Sequence, residues 1–325
     1  MSTIGASLTK APVRTRRLLQ NRIVALVAIL VLYNVVFVIL KGGTFFSADN
    51  YVSILLNMSI QTLIVIGMAM LLISGNLDLS LGANMAFAGI LCGYLIKFSP
   101  LGIAGAFAVT LLVSVCMGAF NGYLVAFIGV NPVIATLATG FVYQGIAVWI
   151  AGPGYTDFPA AFQFYGQAKL LSVQLPVWYM LAITVVTHFL MANFRLFRNF
   201  YFVGGNKRAA LMSGIITRLS VFTVFIFAAV LANVAGFVTA SRFNASLTGI
   251  GTGVELKAIT AAVIGGVSFT GGTGTILGAF LGALFLSFVD NGLIQIGVAP
   301  SWQNVVVGVI LVLSIVVDVL AKRRK

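Results

Sequence analysis

The sequence predicts an all-α integral membrane protein of about ten transmembrane helices, a single membrane domain with both termini on the cytoplasmic side. Three observations predict it. The 325 residues are 60% hydrophobic and 8% charged, with a mean hydropathy of +1.11, whereas a soluble domain carries about 25% charge. The charges are sparse within two long apolar halves. Between 23 and 194 only Lys41, Asp49, Asp78, Lys97, Asp157 and Lys169 are charged; between 219 and 321 only Arg242, Glu255, Lys257, Asp290 and Asp318 are. Finally, 14 of the 19 Lys and Arg fall in three runs: five in residues 10–22, five in 193–218 and four in 322–325. Basic loops stay on the cytoplasmic face, and a count of ten spans puts all three runs there.

In chain order, residues 1–22 read as a basic cytoplasmic tail. Residues 23–40 form an apolar run of signal-peptide character. Lys41, Gly42 and Gly43 follow it in place of a small-residue cleavage site, so it reads as a retained first span. Spans are then expected at 52–73, 81–96, 101–128, 133–151 and 176–192. A break at 74–82, SGNLDLSLG, carries Asp78 and Ser80 as N-cap candidates for a helix starting near Leu81. Residues 152–175 read as an exterior loop. After 193–218, spans are expected at 219–240, 256–270, 275–293 and 304–320, with a break at 271–274 and a basic tail at 322–325. Asn121 and Gly122 precede GVNP at 129–132; Asn291 and Gly292 precede GVAP at 297–300. The two copies lie five spans apart, so an odd number of crossings inverts the second. Inverted repeats with broken helices are typical of transporters.

Several function classes are excluded. The two terminal basic runs lack the interleaved aromatics that nucleic-acid binders stack on bases, and the central run lies between apolar halves as a cytoplasmic loop would, so no nucleic-acid partner is expected. No Gly-Lys dipeptide occurs, hence no phosphate-binding loop of the G-x-x-x-x-G-K-[ST] type. His188 is the single histidine, and Cys92 and Cys116 lie in apolar runs, so no metal site and no catalytic residue is expected. No paired carboxylates within spans propose an ion relay. An active transporter lacking both devices needs an external engine.

The polar residues inside apolar sequence are Asn57, Gln61, Asp78, Asn84, Asn121, Gln144, Asn233, Glu255, Asp290 and Asn291. Ionisable groups in spans are costly and usually functional. Asp78, Asn84, Asn121, Glu255, Asp290 and Asn291 are therefore candidates for a solute pathway or its gates, though Asp78, Glu255 and Asp290 lie near span ends, where caps or salt bridges also account for them. Such an inventory of amides and hydroxyls suits a neutral polar solute. Gly89 with Gly93, Gly118 with Gly122, and Gly274 with Gly278 and Gly282 fall on helix faces at fourfold spacing, as helices closely packed in lipid require.

The central run 193–218 carries Arg195, Arg198, Lys207, Arg208 and Arg218 and no acid. Gly204 and Gly205 are expected to turn the chain through positive φ. Asn206 is expected to cap a short helix over 207–213 that Gly214 ends. Ala209 and Ala210 would keep one side of it slim enough to dock in a partner's groove, so that a glutamate at Ala210 would break the docking.

Three stretches carry a family resemblance: SGNLDLSLG at 74–82, VGGNKRAALMSGI at 203–215, and GVELKAITAAVIGGVSFTGGTGTILGAFLGA at 253–283. Together they resemble the permease subunits of bacterial ABC importers for ribose and related simple sugars. The resemblance implies import through a ten-span permease in the bacterial inner membrane, paired with a second permease copy or paralogue. It also implies two ATP-binding cassette subunits that hold ATP and Mg, a periplasmic solute-binding protein, and no cofactor in this chain. Carried over, Gly204, Gly205, Asn206, Ala209, Ala210, Gly214 and Ile215 are positions of the loop that couples to the ATPase. Asn76 and Leu77 stand where the family usually has Gly-Ile, and Lys207 and Arg208 where it is often acidic or polar, so the ATPase groove would need compensating charge. The other reading of the residues is an inverted-repeat secondary transporter for a small neutral solute.

Overall fold

The computed structural model describes residues 22–152 and 154–323. Most of the tail expected at 1–22 and the end of the one at 322–325 lie outside the described residues. The helices are α1 Arg22–Lys41, α2 Ala48–Ile73, α3 Leu81–Phe98, α4 Gly102–Tyr123, α5 Pro132–Ala151, α6 Ala160–Gln167, α7 Leu175–Asn193, α8 Arg195–Gly205, α9 Lys207–Met212, α10 Thr217–Phe243, α11 Val254–Ile264, α12 Ile276–Gln295 and α13 Pro300–Arg323. A π-helical turn, Leu124–Ile128, extends α4. Strand pairing among the described residues is confined to two short ladders.

Among the described residues eight helices are long and apolar enough to cross a bilayer: α1 to α5, α7, α10 and α12. The span expected over 256–270 is instead the 11-residue α11. At 1.5 Å per residue it is roughly 16 Å long, about half the hydrocarbon thickness. It stops early because Gly266 takes φ +87°. The Gly266 and Val267 N–H groups then bond back to Val263 and Ala262 carbonyls, a Schellman closure. Gly75, φ +77°, ends α2 in the same way, with Gly75 and Asn76 bonding Leu72 and Leu71. The exterior stretch 152–175 is not a free loop. It folds down through α6, burying Phe158 and Phe162, and the Ser241 hydroxyl donates to the Phe162 carbonyl at 2.6 Å.

α2 and α10 form the centre: 78% and 67% of their apolar windows are buried, against 11% for α1. They pack on each other. α10 runs along α3 and α4 while α2 runs along α11 and α12; α3 meets α5, and α11 meets α13. This pattern is unchanged when α2–α5 and α10–α13 are exchanged, and the two sets run in opposite directions. The exchange maps Asn121 on α4 to Asn291 on α12, the pairing drawn from the sequence. It also maps the α2–α3 connection, 74–80, to the α10–α11 connection, 244–253, which leaves from the opposite end. The start of α3, just past the first connection, meets the second inside the bundle, where a Cβ on Gly82 would strike the Gly251 carbonyl oxygen and one on Gly251 would strike that of Gly82.

Glycines make the other close approaches. Gly89 and Gly236 bring α3 onto α10, Gly118 and Gly122 bring α4 onto it, and Gly278 and Gly282 bring α12 onto α11. Gly93 makes room instead for the Phe158 ring and Ser246, and Gly274, φ +141°, lies over Val267 outside α12. The end carrying α8 and α9 with their four cationic residues, and Arg218 at the start of α10, is called the basic end below.

The contact at the crossing of the two halves sets a test. Gly251→Ala should lower the thermal midpoint of the detergent-solubilised protein, through overpacking of about 1–3 kcal/mol. Gly249→Ala, with open space around its Cβ position, should leave it unchanged.

Candidate functional site

The polar residues separate into sites that do different things. Asp78 is buried in the 74–80 connection. Its Oδ1 accepts from the Ser80 N–H at 2.8 Å and the Ser80 hydroxyl at 2.6 Å. Asn121 Nδ2 donates to Ser80 Oγ at 2.8 Å and reaches Asp78 Oδ2 at 3.4 Å. Leu81 does begin α3, but neither residue caps it as expected: Ser80 stands at the N-cap in αR geometry and makes no side-chain cap bond. Its hydroxyl is engaged between Asp78 and Asn121, so the cluster ties the break to α4. One helical turn deeper, Ser114 Oγ donates to Asn84 Oδ1 at 2.8 Å and lies 3.4 Å from Asn233 Oδ1, joining α3, α4 and α10. These buried groups hold helices together and line none of the cavities described here.

Glu255 lies apart, in the first turn of α11. It borders a cavity of about 210 Å³ with Gln144, whose amide donates to the Thr248 carbonyl at 3.0 Å.

Asp290 and Asn291 line a polar cleft of about 290 Å³ at the end opposite the basic one, walled by α2, α10, α11 and α12. Asn57, Gln61, Arg242 and Lys257 share it. Lys257 Nζ pairs with Asp290 Oδ2 at 3.2 Å, both side chains about four-fifths buried. Arg242 donates to the Leu56 carbonyl at 3.1 Å and to Asn57 Oδ1 at 2.8 Å. Asn291 Nδ2 donates to Asn50 Oδ1 at 2.9 Å. Among the described residues Asp290 Oδ1 has no hydrogen-bond partner. The cleft thus offers amides, guanidinium N–H groups and the Lys257–Asp290 pair around an open space, the chemistry that binds hydroxyl groups. Arg242 and Lys257 were not singled out from the sequence, because each sits alone at a span end. The signal available was their place among the few charges of the second apolar half.

The fourth site is the basic end. α8 buries Phe197, Phe200 and Val203, a helical stripe against the bundle. Asn206 Oδ1 accepts from the Ala209 N–H at 3.0 Å and caps α9. Gly214, φ +78°, closes α9 with the Gly214 and Ile215 N–H groups bonded to the Leu211 and Ala210 carbonyls. Two expectations are corrected. Gly204 and Gly205 do not turn the chain through positive φ; both lie in the last turn of α8. Gly204 is needed for close approach, since a Cβ there would strike the Ile73 carbonyl oxygen. Ala210 does not face outward but is buried in the chain's own core, so a glutamate there would disrupt this chain before any partner. The outward face carries Lys207, Arg208, Ala209, Leu211 and Met212, with Met212 90% exposed.

A bundle of apolar helices with an inverted internal symmetry, a helix interrupted at half the bilayer thickness and a polar cleft defines a multi-pass membrane transport protein. Residues 50–315 match the family described as branched-chain amino acid transport system / permease component, and the chain belongs to that family. It is 32% identical to the ribose import permease protein of Escherichia coli (strain K12), over 90% of this chain and 92% of that one. The D-allose transport system permease protein of the same strain is 32% identical over 89% of each chain. The autoinducer 2 import system permease protein of Salmonella typhi is 31% identical over 90% of this chain and 84% of that one. No solved structure matches. Membership of a permease-component family makes the chain a transport subunit and removes the secondary-transporter alternative.

The symmetry-related asparagines should part in behaviour. Asn121→Leu strips donors from a buried carboxylate cluster and should destabilise the protein by about 1–3 kcal/mol, read as a lower thermal midpoint. Asn291→Leu borders open space, so it should keep the midpoint and reduce uptake.

Proposed function

We propose that this chain forms the membrane passage of an ATP-driven importer for a simple sugar or a related small polar solute. The observation that carries the reading is its likeness, across about nine-tenths of its length, to import permeases for ribose and autoinducer 2. In this reading the cleft around Asp290, Asn291, Arg242 and Lys257 receives the solute from a periplasmic binding protein. The basic end faces the cytoplasm, in accord with the charge bias of cytoplasmic loops. A second permease copy or paralogue completes the passage, and membrane lipid surrounds the pair. Two ATP-binding subunits hold ATP and Mg, and α9 docks on one of them. Leu211 and Met212 supply the apolar knob of that contact, with Lys207 and Arg208 at its rim as partners for acidic groups on the ATPase.

Two experiments test it. Single cysteines at positions 207 and 169, on a background lacking Cys92 and Cys116, should label oppositely with an impermeant thiol reagent in intact cells, 169 from outside and 207 not. Labelling of 207 from outside would overturn the orientation. Met212→Asp places a charge in the docking contact and should weaken retention of the ATPase subunit by about 2–5 kcal/mol, with normal membrane insertion. Co-purification with the ATPase at parental yield would place the docking surface elsewhere.

A further inference from the structure

Three stretches far apart in sequence come together at the basic end with almost no side chains between them. The first is the end of α2, Ile73 to Gly75. The second is the last turn of α8, at Gly204 and Gly205. The third is the turn before α12, Gly271 to Gly274. The Gly272 N–H donates to the Ile73 carbonyl at 2.9 Å. A Cβ on Gly204 would strike that same carbonyl oxygen and come within 2.8 Å of the Gly272 nitrogen. One on Gly271 would lie 2.7 Å from the Gly204 carbonyl oxygen and 3.0 Å from the Gly75 Cα. The Tyr201 hydroxyl, one turn back on α8, donates to the Gly274 carbonyl at 3.1 Å.

Contact of this kind transmits displacement stiffly. Side chains absorb small movements by changing rotamer, whereas main chain in van der Waals contact with main chain has no such slack. What lies on either side gives the contact a direction. α9 follows α8 directly, through Asn206. On the other side, Gly274 and the capping Thr275 lead into α12, whose Thr275 side chain accepts from the Gly278 N–H at 3.0 Å. α12 is one unbroken helix from Ile276 to Gln295 and carries Asp290 and Asn291 in the cleft wall. Its partner across the ion pair, Lys257, stands on α11, so an axial shift of α12 changes the Lys257–Asp290 separation.

We propose that this glycine joint is the transmission between α9 and the cleft, and that Gly204 and Tyr201 are its positioning residues. A displacement of α9 moves the end of α8, the joint draws the start of α12 with it, and α12 delivers the movement to Asp290 and Asn291. The inference rests on the docking of α9 proposed above, and it adds which residues carry the motion onward.

The test uses the complete complex with its ATPase subunits and binding protein in proteoliposomes, with tritiated D-ribose and D-allose as probes, and reads solute moved per ATP hydrolysed. That ratio is insensitive to how much complex survives, so a merely destabilised variant keeps it. Tyr201→Phe removes one hydrogen bond and should lower the ratio at least threefold; Gly204→Ala wedges the joint open and should lower it at least tenfold. Gly145→Ala, whose added methyl meets open space, should match the parent. If Gly204→Ala fails to assemble, Tyr201→Phe decides. A parental ratio in Tyr201→Phe, or transport and hydrolysis falling in proportion, overturns the joint. Failure of the docking reading shows separately, as retention of the ATPase by Met212→Asp.

Discussion

Main-chain contact between helices is the constraint on which this structure depends. In lipid there is little hydrophobic gain from pressing one apolar helix on another, so association relies on close packing and on polar contacts. The chain meets that demand at α10, which takes α3 at Gly89 and Gly236 and α4 at Gly118 and Gly122. α12 meets α11 by the same means at Gly278 and Gly282. Removal of side chains from these faces lets carbonyl oxygens of one helix lie against Cα atoms of the next.

Interrupted helices add a second demand. Backbone that is not helical cannot face lipid, since its polar groups would go unsatisfied. The connection at 74–80 is sheltered by α4 and α5 and bonded to them through Asp78, Asn121 and the bond from the Leu79 N–H to Thr136 Oγ1 at 2.9 Å. The connection at 244–253 is bonded through Gln144 and through Ser246 Oγ, which donates to the Gly89 carbonyl at 2.8 Å. Polar residues within the apolar sequence thus serve two ends. Those near the breaks satisfy the chain itself, and those around Asp290 are left open to a space.

Spans were legible in the sequence because unbroken hydrocarbon of bilayer length admits one main reading. Length failed at α11, where the apolar run continues through Val267 and Phe269 but the two glycines at 265 and 266 end the helix. The α9 cap and stop were legible because Asn206 and Gly214 act through local geometry. Gly204 was read for the wrong property: a glycine pair in a basic loop resembles a turn, and only the neighbours at Ile73 and Gly272, some 130 and 70 residues away, show that the need is for space. Ala210 failed for the same reason, since a small residue serves an inner face as readily as an outer one. The cleft was half legible: Asp290 and Asn291 stood out, while Arg242 and Lys257 acquire meaning only when α10, α11 and α12 are brought together.

The meeting of Gly82 with Gly251 has a consequence in time. Where two segments touch through side chains, a rotamer flip opens a gap in picoseconds to nanoseconds. Here neither residue has a side chain to flip, and the carbonyl of each lies against the Cα of the other. They part only when whole segments of backbone move, which takes microseconds to milliseconds. The middle of the bundle is therefore deaf to the fast motions that continually agitate its walls, and its clock is set by the slow displacement of helices.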